Sequence, residues 1–175
     1  CYNKRHLHSP SGEQNVYTAG KEQVVCNHEG LNFNLQVCYD LRFPVWSRNR
    51  GDTDVIIYSA SWPEARIHAW KSLLVARAIE NQCYVLGANR TGVSPDGTNY
   101  SGDSQIIDPI GEIKASITSY PGIITFNLEK RLIEKASENH SQTTMDPEQW
   151  THQYDQASKS GTGLPTPSEI KEEAH

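Results

Sequence analysis

No apolar run in these 175 residues approaches the roughly 18 that a membrane-crossing helix needs, and residues 1–20 lack the apolar core of a secretory leader. No Lys/Arg-rich cluster is present either. With a net charge of −5 and a pI near 5.8 there is no basic footprint for nucleic acid or for an anionic membrane surface. Small molecules or proteins are the expected partners, and a soluble, cytoplasmic protein is the expectation. Hydrophobic content is thin for the length, at 36% with a mean hydropathy of −0.64. The four cysteines, Cys1, Cys26, Cys38 and Cys83, contain no CxxC pair, so neither a zinc site nor a redox pair is indicated, and a disulfide framework is not expected at this size. His6, His8 and His28 lack a metal-ligating spacing such as HxxxH, and no GxGxxG or GxxxxGK[ST] loop is there to cradle phosphate.

What is present reads as alternating strand and helix. "KEQVVCNHEGLNFNLQVCYD" holds two extended runs joined at Glu29-Gly30, a turn-compatible pair, and predicts a hairpin. Val55, Ile56, Ile57 and Tyr58 form a short continuous apolar run, as in strands buried on both faces. In "EARIHAWKSLLVARAIENQ" the residues Ile67, Trp70, Leu74 and Ala78, with Leu73 and Ile79 beside them, recur at helical steps and predict a helix packing one face on a sheet. "CYVLGANR" then returns as a strand, completing a βαβ-like unit. "SQIIDPIGEIKASI" predicts a second hairpin about the Asp108-Pro109-Ile110-Gly111 turn, "GIITFNL" a last strand and "EKRLIEKASEN" a short helix. Residues 137–175 are too polar to build a core and are expected to be a largely unstructured tail, with one short helix over 146–157 capped by Asp146 and Pro147.

"NLQVCYDLRFPVW" alternates Leu35, Val37 and Tyr39 with Asn34, Gln36 and Cys38, then meets charge and Pro44. A cysteine at a strand end before a turn is placed as a nucleophile would be, near backbone N–H groups that can face an oxyanion. On position alone a small buried hydrophobe is the favoured reading, as it is for Cys26 and Cys83. Near the start, Lys4 offers a cation able to lower a thiol pKa and Glu13 a carboxylate able to take a proton. Asp40 and Arg42 read as a local ion pair shaping the turn, Arg77 and Glu80 as structural charges of the helix. A His68 base oriented by Asp103 is a weaker alternative, since no spacing requires it.

The strings "YNKRHLH", "CYDLRFPVWSRN", "SASWPEARIHAWKSLLVARAIENQCYVLGANRTG" and "YSGDSQIIDPIGEI" resemble, in order, the nitrilase (carbon–nitrogen hydrolase) superfamily, most closely its omega-amidase branch. The resemblance covers Tyr2 to about Leu128. It implies an α/β fold, part of an α-β-β-α sandwich, with residues 1–136 forming the hydrolase domain, and a homodimer when that domain is complete. It also implies a catalytic triad of Glu, Lys and Cys, in which the lysine of "Y-x-K-x-H-L" is Lys4 and the cysteine of "C-Y-D-x-R-F-P" is Cys38. A second family glutamate, ahead of a small-residue turn, matches Glu13 ahead of Ala19-Gly20. The family's base glutamate lies upstream of the lysine. A chain that starts at Cys1, three residues before Lys4, is therefore expected to be a piece of a longer reading frame lacking the domain's first third, and inactive alone.

The implied reaction is thiol-dependent hydrolysis of the ω-amide of a small 2-oxo dicarboxylic acid monoamide, with no metal and no organic cofactor. Cys38 attacks, Lys4 and the Tyr39 backbone N–H hold the oxyanion, Trp62 walls the pocket and Arg66 grips the substrate carboxylate. Arg66 reads equally well as a surface arginine at a helix start. The same strings are compatible with nitrile or carbamoyl hydrolysis, and a non-enzymatic interaction module is the alternative from another class.

Overall fold

The computed structural model describes residues 1–140, with side chains up to Glu138; the helix expected over 146–157 lies outside the described residues. Glu29 and Gly30 take φ of 49° and 79°, the two left-handed residues that a two-residue hairpin turn of type I′ demands. They join β1 (Val25–His28) to β2 (Leu31–Val37) antiparallel, with Cys26 opposite Phe33. β2, β3 (Val55–Ala60) and β4 (Tyr84–Asn89) then run parallel, and α1 (Ile67–Asn81) makes the crossover between the last two. The predicted βαβ unit is thus present.

On α1 the residues Trp70, Leu74 and Ala78 are buried, with Ile67 and Leu73 at the margin of the same cluster. They meet Ile56, Tyr58 and Val85 from the sheet. Burying Leu74 alone contributes about 1.5–3 kcal/mol. Ile79 departs from the expected face and is 47% exposed. One residue past Ala78, it is turned about 100° round the helix from the buried stripe.

β6 (Asn99–Ile107) and β7 (Ile113–Thr118) form the second hairpin. Its turn is closed by the Gly111 N–H donating to the Asp108 carbonyl at 2.9 Å, while the Asp108 carboxylate accepts the N–H groups of Ile110 and Glu112. The strand order is β1-β2-β3-β4-β6 and then the short β5 (Thr91–Val93), with β7 on β6. β5 was not expected, because three residues carry no readable period. "GIITFNL" forms no strand, contrary to expectation, and Ile123 is 91% exposed. This segment is held by side chains instead of a ladder: the Glu129 N–H donates to the Tyr84 hydroxyl at 3.1 Å, and the Phe126 ring lies 6.5 Å from that of Tyr84. α2 (Lys130–His140) follows where a short helix was predicted.

The alternation in β2 is real, but its polar members are the more buried. Asn34 and Gln36 are paired with Ile56 and Tyr58 in the sheet and share their face. Gln36 Nε2 donates to Asn34 Oδ1 at 2.8 Å, which satisfies part of their hydrogen-bonding need away from water. Leu35 and Val37, on the opposite face, are only half-buried. The parallel strands all end on one side of the sheet, at Val37, Ala60 and Asn89, and it is outside such carboxyl ends that α/β sheets place their sites. No described helix is long and apolar enough to cross a membrane.

Candidate active site

Cys38 is the first residue beyond β2, and its φ of 49° puts a residue with a side chain in the left-handed region. Holding a non-glycine residue there costs on the order of 1–3 kcal/mol, a strain that persists only where the surroundings enforce it. They do so from three directions. The chain winds at once into a 3₁₀ turn, Cys38–Arg42. Within it the wholly buried Asp40 accepts the Val37 N–H at 3.1 Å. From α1 the buried Arg77 donates to the Leu41 carbonyl at 2.8 Å and pairs with Glu80 at 2.9 Å, as its expected structural role requires.

The amino-terminal segment is docked on this turn. Tyr2 Oη donates to Asp40 Oδ2 at 2.8 Å, the His6 backbone N–H donates to Oδ1 at 2.9 Å, and His6 Nδ1 lies 2.8 Å from the same oxygen. Trp46 Nε1 donates to Tyr2 Oη at 3.0 Å, and the His6 ring stacks on Phe43 with centroids 3.6 Å apart. The expected Asp40–Arg42 pair is not formed. Asp40 turns inward to the docked segment, whereas the exposed Arg42 turns outward and lays its guanidinium over the Trp62 ring, 5.0 Å from its centroid.

Between the docking residues Tyr2 and His6, Lys4 reaches Glu13. Its Nζ donates to both carboxylate oxygens, at 2.9 and 2.6 Å. Glu13 also accepts the His8 N–H at 2.8 Å. Burial pushes the Glu13 carboxyl up, but the Lys4 bonds and the His8 N–H outweigh it and hold the group below the ordinary glutamate value, ionised.

Lys4, Glu13, Cys38, Tyr39, Trp62 and Arg66, the residues singled out in sequence, all line one open cleft of about 1100 Å³. The cleft is larger than the roughly 300–1,000 Å³ of an ordinary small-molecule site. Trp62 is buried in its wall, its Nε1 bonded to the Arg66 carbonyl at 2.9 Å, and Arg66 itself is exposed on the rim. The His68–Asp103 pair is not made. Asp103 bonds Lys71, Ser101 and Thr118.

The Cys38 thiol does not behave as the neighbouring lysine alone would suggest. Burial pushes its pKa up, the N–H groups of Ser61 and Tyr39 and the Lys4 charge pull it down, Glu13 opposes them, and the net direction is upward. At rest Cys38 is therefore a thiol in the company of two backbone donors. Ser61 was missed in the sequence, although its position directly after a parallel strand was a signal; His8 and Arg42 in the cleft lining were missed as well.

The family model for carbon–nitrogen hydrolases matches residues 1–138. The chain is 54% identical over 114 residues to an omega-amidase, YafV, of Yersinia enterocolitica, an alignment covering 65% of this chain and 44% of that protein. It is 40% identical over 130 residues to a 2-oxoglutaramate amidase of Bacillus subtilis, covering 73% and 50% respectively. Among solved structures, XC1258 of Xanthomonas campestris, described as a CN-hydrolase superfamily protein with an arsenic adduct in the active site, superposes with a TM-score of 0.75 at 39% identity, over 81% of this chain and 56% of that one. The chain spans about half the length of the relatives it matches.

Proposed function

The chain belongs to the nitrilase (carbon–nitrogen hydrolase) superfamily, on its omega-amidase branch, and from that premise we propose that it carries the nucleophile half of an enzyme hydrolysing the ω-amide of a small 2-oxo dicarboxylic acid monoamide. One observation carries this reading: a cysteine held at positive φ at the carboxyl edge of a parallel sheet shares its cleft with a Lys4–Glu13 ion pair.

In the proposed reaction the Cys38 sulfur attacks the carboxamide carbon while its proton passes to a base. The carbonyl oxygen becomes an oxyanion facing the Lys4 ammonium and the Tyr39 N–H. Collapse breaks the carbon–nitrogen bond, and the nitrogen leaves as ammonia after taking up a proton. Water then adds to the thioester, frees the thiol and yields the carboxylate. Glu13, already bonded to Lys4 and His8, is assigned the holding of Lys4, and the resemblance assigns the base to a glutamate that family members carry ahead of the lysine. Arg66 is assigned the substrate carboxylate, which a guanidinium can bind at two points. The omega-amidase and 2-oxoglutaramate amidase relatives support the substrate class.

The test is ammonia release from 2-oxoglutaramate by the protein expressed from its complete reading frame, beside Cys38→Ala. Release by the first and none by the second is expected. Equal release by both would remove Cys38 from the chemistry, and no release by the first would remove the amidase reading.

A further inference from the structure

His8 lines the cleft beside Lys4 and Arg66, and the reaction above gives its side chain no task. Its place is fixed on several sides. The backbone N–H donates to Glu13 at 2.8 Å, the carbonyl accepts the Ser11 N–H at 3.1 Å, and the ring stands edge-on to Tyr39 with centroids 5.0 Å apart.

The contacts with Ser11 favour one of the two ring tautomers. Ser11 Oγ lies 2.9 Å from the His8 carbonyl oxygen and 3.0 Å from His8 Nδ1. A carbonyl has no proton to give, so the single hydroxyl proton goes to it, and the ring must supply the proton in the other contact. This pattern favours the Nδ1–H tautomer of His8, which leaves a lone pair on Nε2, an atom with no partner among the described residues. Burial first, then the Arg66 guanidinium, with Lys4 and Arg42 adding to it against Glu13, keep the imidazole below the ordinary histidine value and hence neutral.

We propose that His8 is a specificity-determining residue whose Nε2 accepts a hydrogen bond from the substrate carboxamide N–H. The proposal rests on the amidase reading and sharpens it. A 2-oxo acid monoamide in its open form carries one donor group, the carboxamide NH₂, and its other polar atoms are acceptors suited to Lys4, Arg66 and the backbone N–H groups. A lone-pair nitrogen among cations is complementary to that amide end and to no part of the dicarboxylate product. The cleft then distinguishes substrate from product by hydrogen-bond polarity, since both carry the carboxylate that an arginine would hold.

The experiment uses the Cys38→Ala chain, which has no thiol to acylate, with ¹⁵N-labelled histidine and tryptophan; the His8 signals are identified by their loss in Cys38→Ala/His8→Phe and the Trp62 indole signal by its loss in Cys38→Ala/Trp62→Phe. Succinamate, a monoamide, is titrated beside succinate, the matching diacid. Expected is a shift of the His8 Nε2 resonance with succinamate and none with succinate, together with an about tenfold weaker succinamate affinity in the His8→Phe variant, the loss of about one hydrogen bond, and unchanged succinate affinity. If the Trp62 indole N–H signal responds to succinamate while His8 Nε2 does not, or if His8→Phe weakens both ligands equally, the His8 assignment is overturned and the amidase reading stands. If no cleft resonance responds to succinamate, both fall together.

Discussion

Asp40 holds His6 through two bonds to a single carboxylate oxygen, the backbone N–H at 2.9 Å and the ring Nδ1 at 2.8 Å, while its other oxygen takes Tyr2 and Val37. Lys4 lies between the two docked residues and Cys38 lies two residues before the carboxylate, so one buried side chain fixes the cation relative to the sulfur. Asp40→Ala leaves several donors without an acceptor. It is expected to lower stability by about 3–5 kcal/mol in urea unfolding. A midpoint unchanged from the parent would mean that the segment docks by its ring contacts alone.

The Lys4–Glu13 pair has a signature on the acid side. Glu13 has its folded-state pKa lowered, so it contributes stability that is present above the ordinary glutamate pKa and lost as the pH falls through the lower folded value. Glu13→Gln should therefore be less stable than the parent near neutrality, and the gap should close as the solution is acidified through that window. A gap independent of pH would show that the carboxylate's charge does not matter to the pair.

Much of this architecture can be read in the chain because it rests on local periods and turn chemistry. The helical stripe of Trp70, Leu74 and Ala78 and the Glu29-Gly30 and Asp108–Gly111 turns all declare themselves within a few residues. Other features needed the fold. Asp40 and Arg42 look like partners because they are neighbours; the 3₁₀ turn sends one inward to Tyr2 and His6 and the other out to Trp62. "GIITFNL" has strand composition, yet it binds Tyr84 through single contacts and forms no ladder. Ser61 contributes a backbone N–H, which no residue type announces. Lys4, Glu13 and Cys38 stand out by residue type and position and take their roles from the family strings, whereas the direction of the thiol pKa required knowing how deeply Cys38 is buried.

That direction is measurable. With burial prevailing over Lys4 and the two N–H donors, the rate of Cys38 alkylation by iodoacetamide should rise with pH through a midpoint above the ordinary thiol value. Lys4→Met removes a charge that favours the thiolate and should move the midpoint further up. A parent midpoint below the ordinary value would show that the cation and the donors prevail over burial.

Arg66 and Arg42 both line the cleft, but they are placed differently. Arg42 has its guanidinium over Trp62, while no ion-pair partner for Arg66 is found among the described residues. Arg66→Met in the complete protein should raise KM for 2-oxoglutaramate about tenfold or more, the loss of a charge-assisted contact, and leave a neutral amide such as butyramide nearly unaffected. Arg42→Met should have the smaller effect. Equal losses on charged and neutral amides would place Arg66 in the wall and not on the carboxylate.

The position of Lys4 also depends on a residue with no side chain. The Gly20 N–H donates to the Lys4 carbonyl at 2.8 Å, and the two strands of chain approach so closely there that a Cβ on Gly20 would stand 2.1 Å from the Asn3 carbonyl oxygen. That oxygen is backbone and cannot swing aside as a side chain would. Gly20→Ala must displace Asn3 and with it Lys4. Because displacing a catalytic group by about 1 Å can cost about 100-fold in rate, the variant should lose kcat on 2-oxoglutaramate on that order in the complete protein. The Asp40 contacts to Tyr2 and His6 would still dock the segment, so thermal unfolding should shift far less than in Asp40→Ala. An unchanged kcat would show that the precise seat of Lys4 does not limit the reaction, and with it the assignment of its ammonium to the oxyanion would fail.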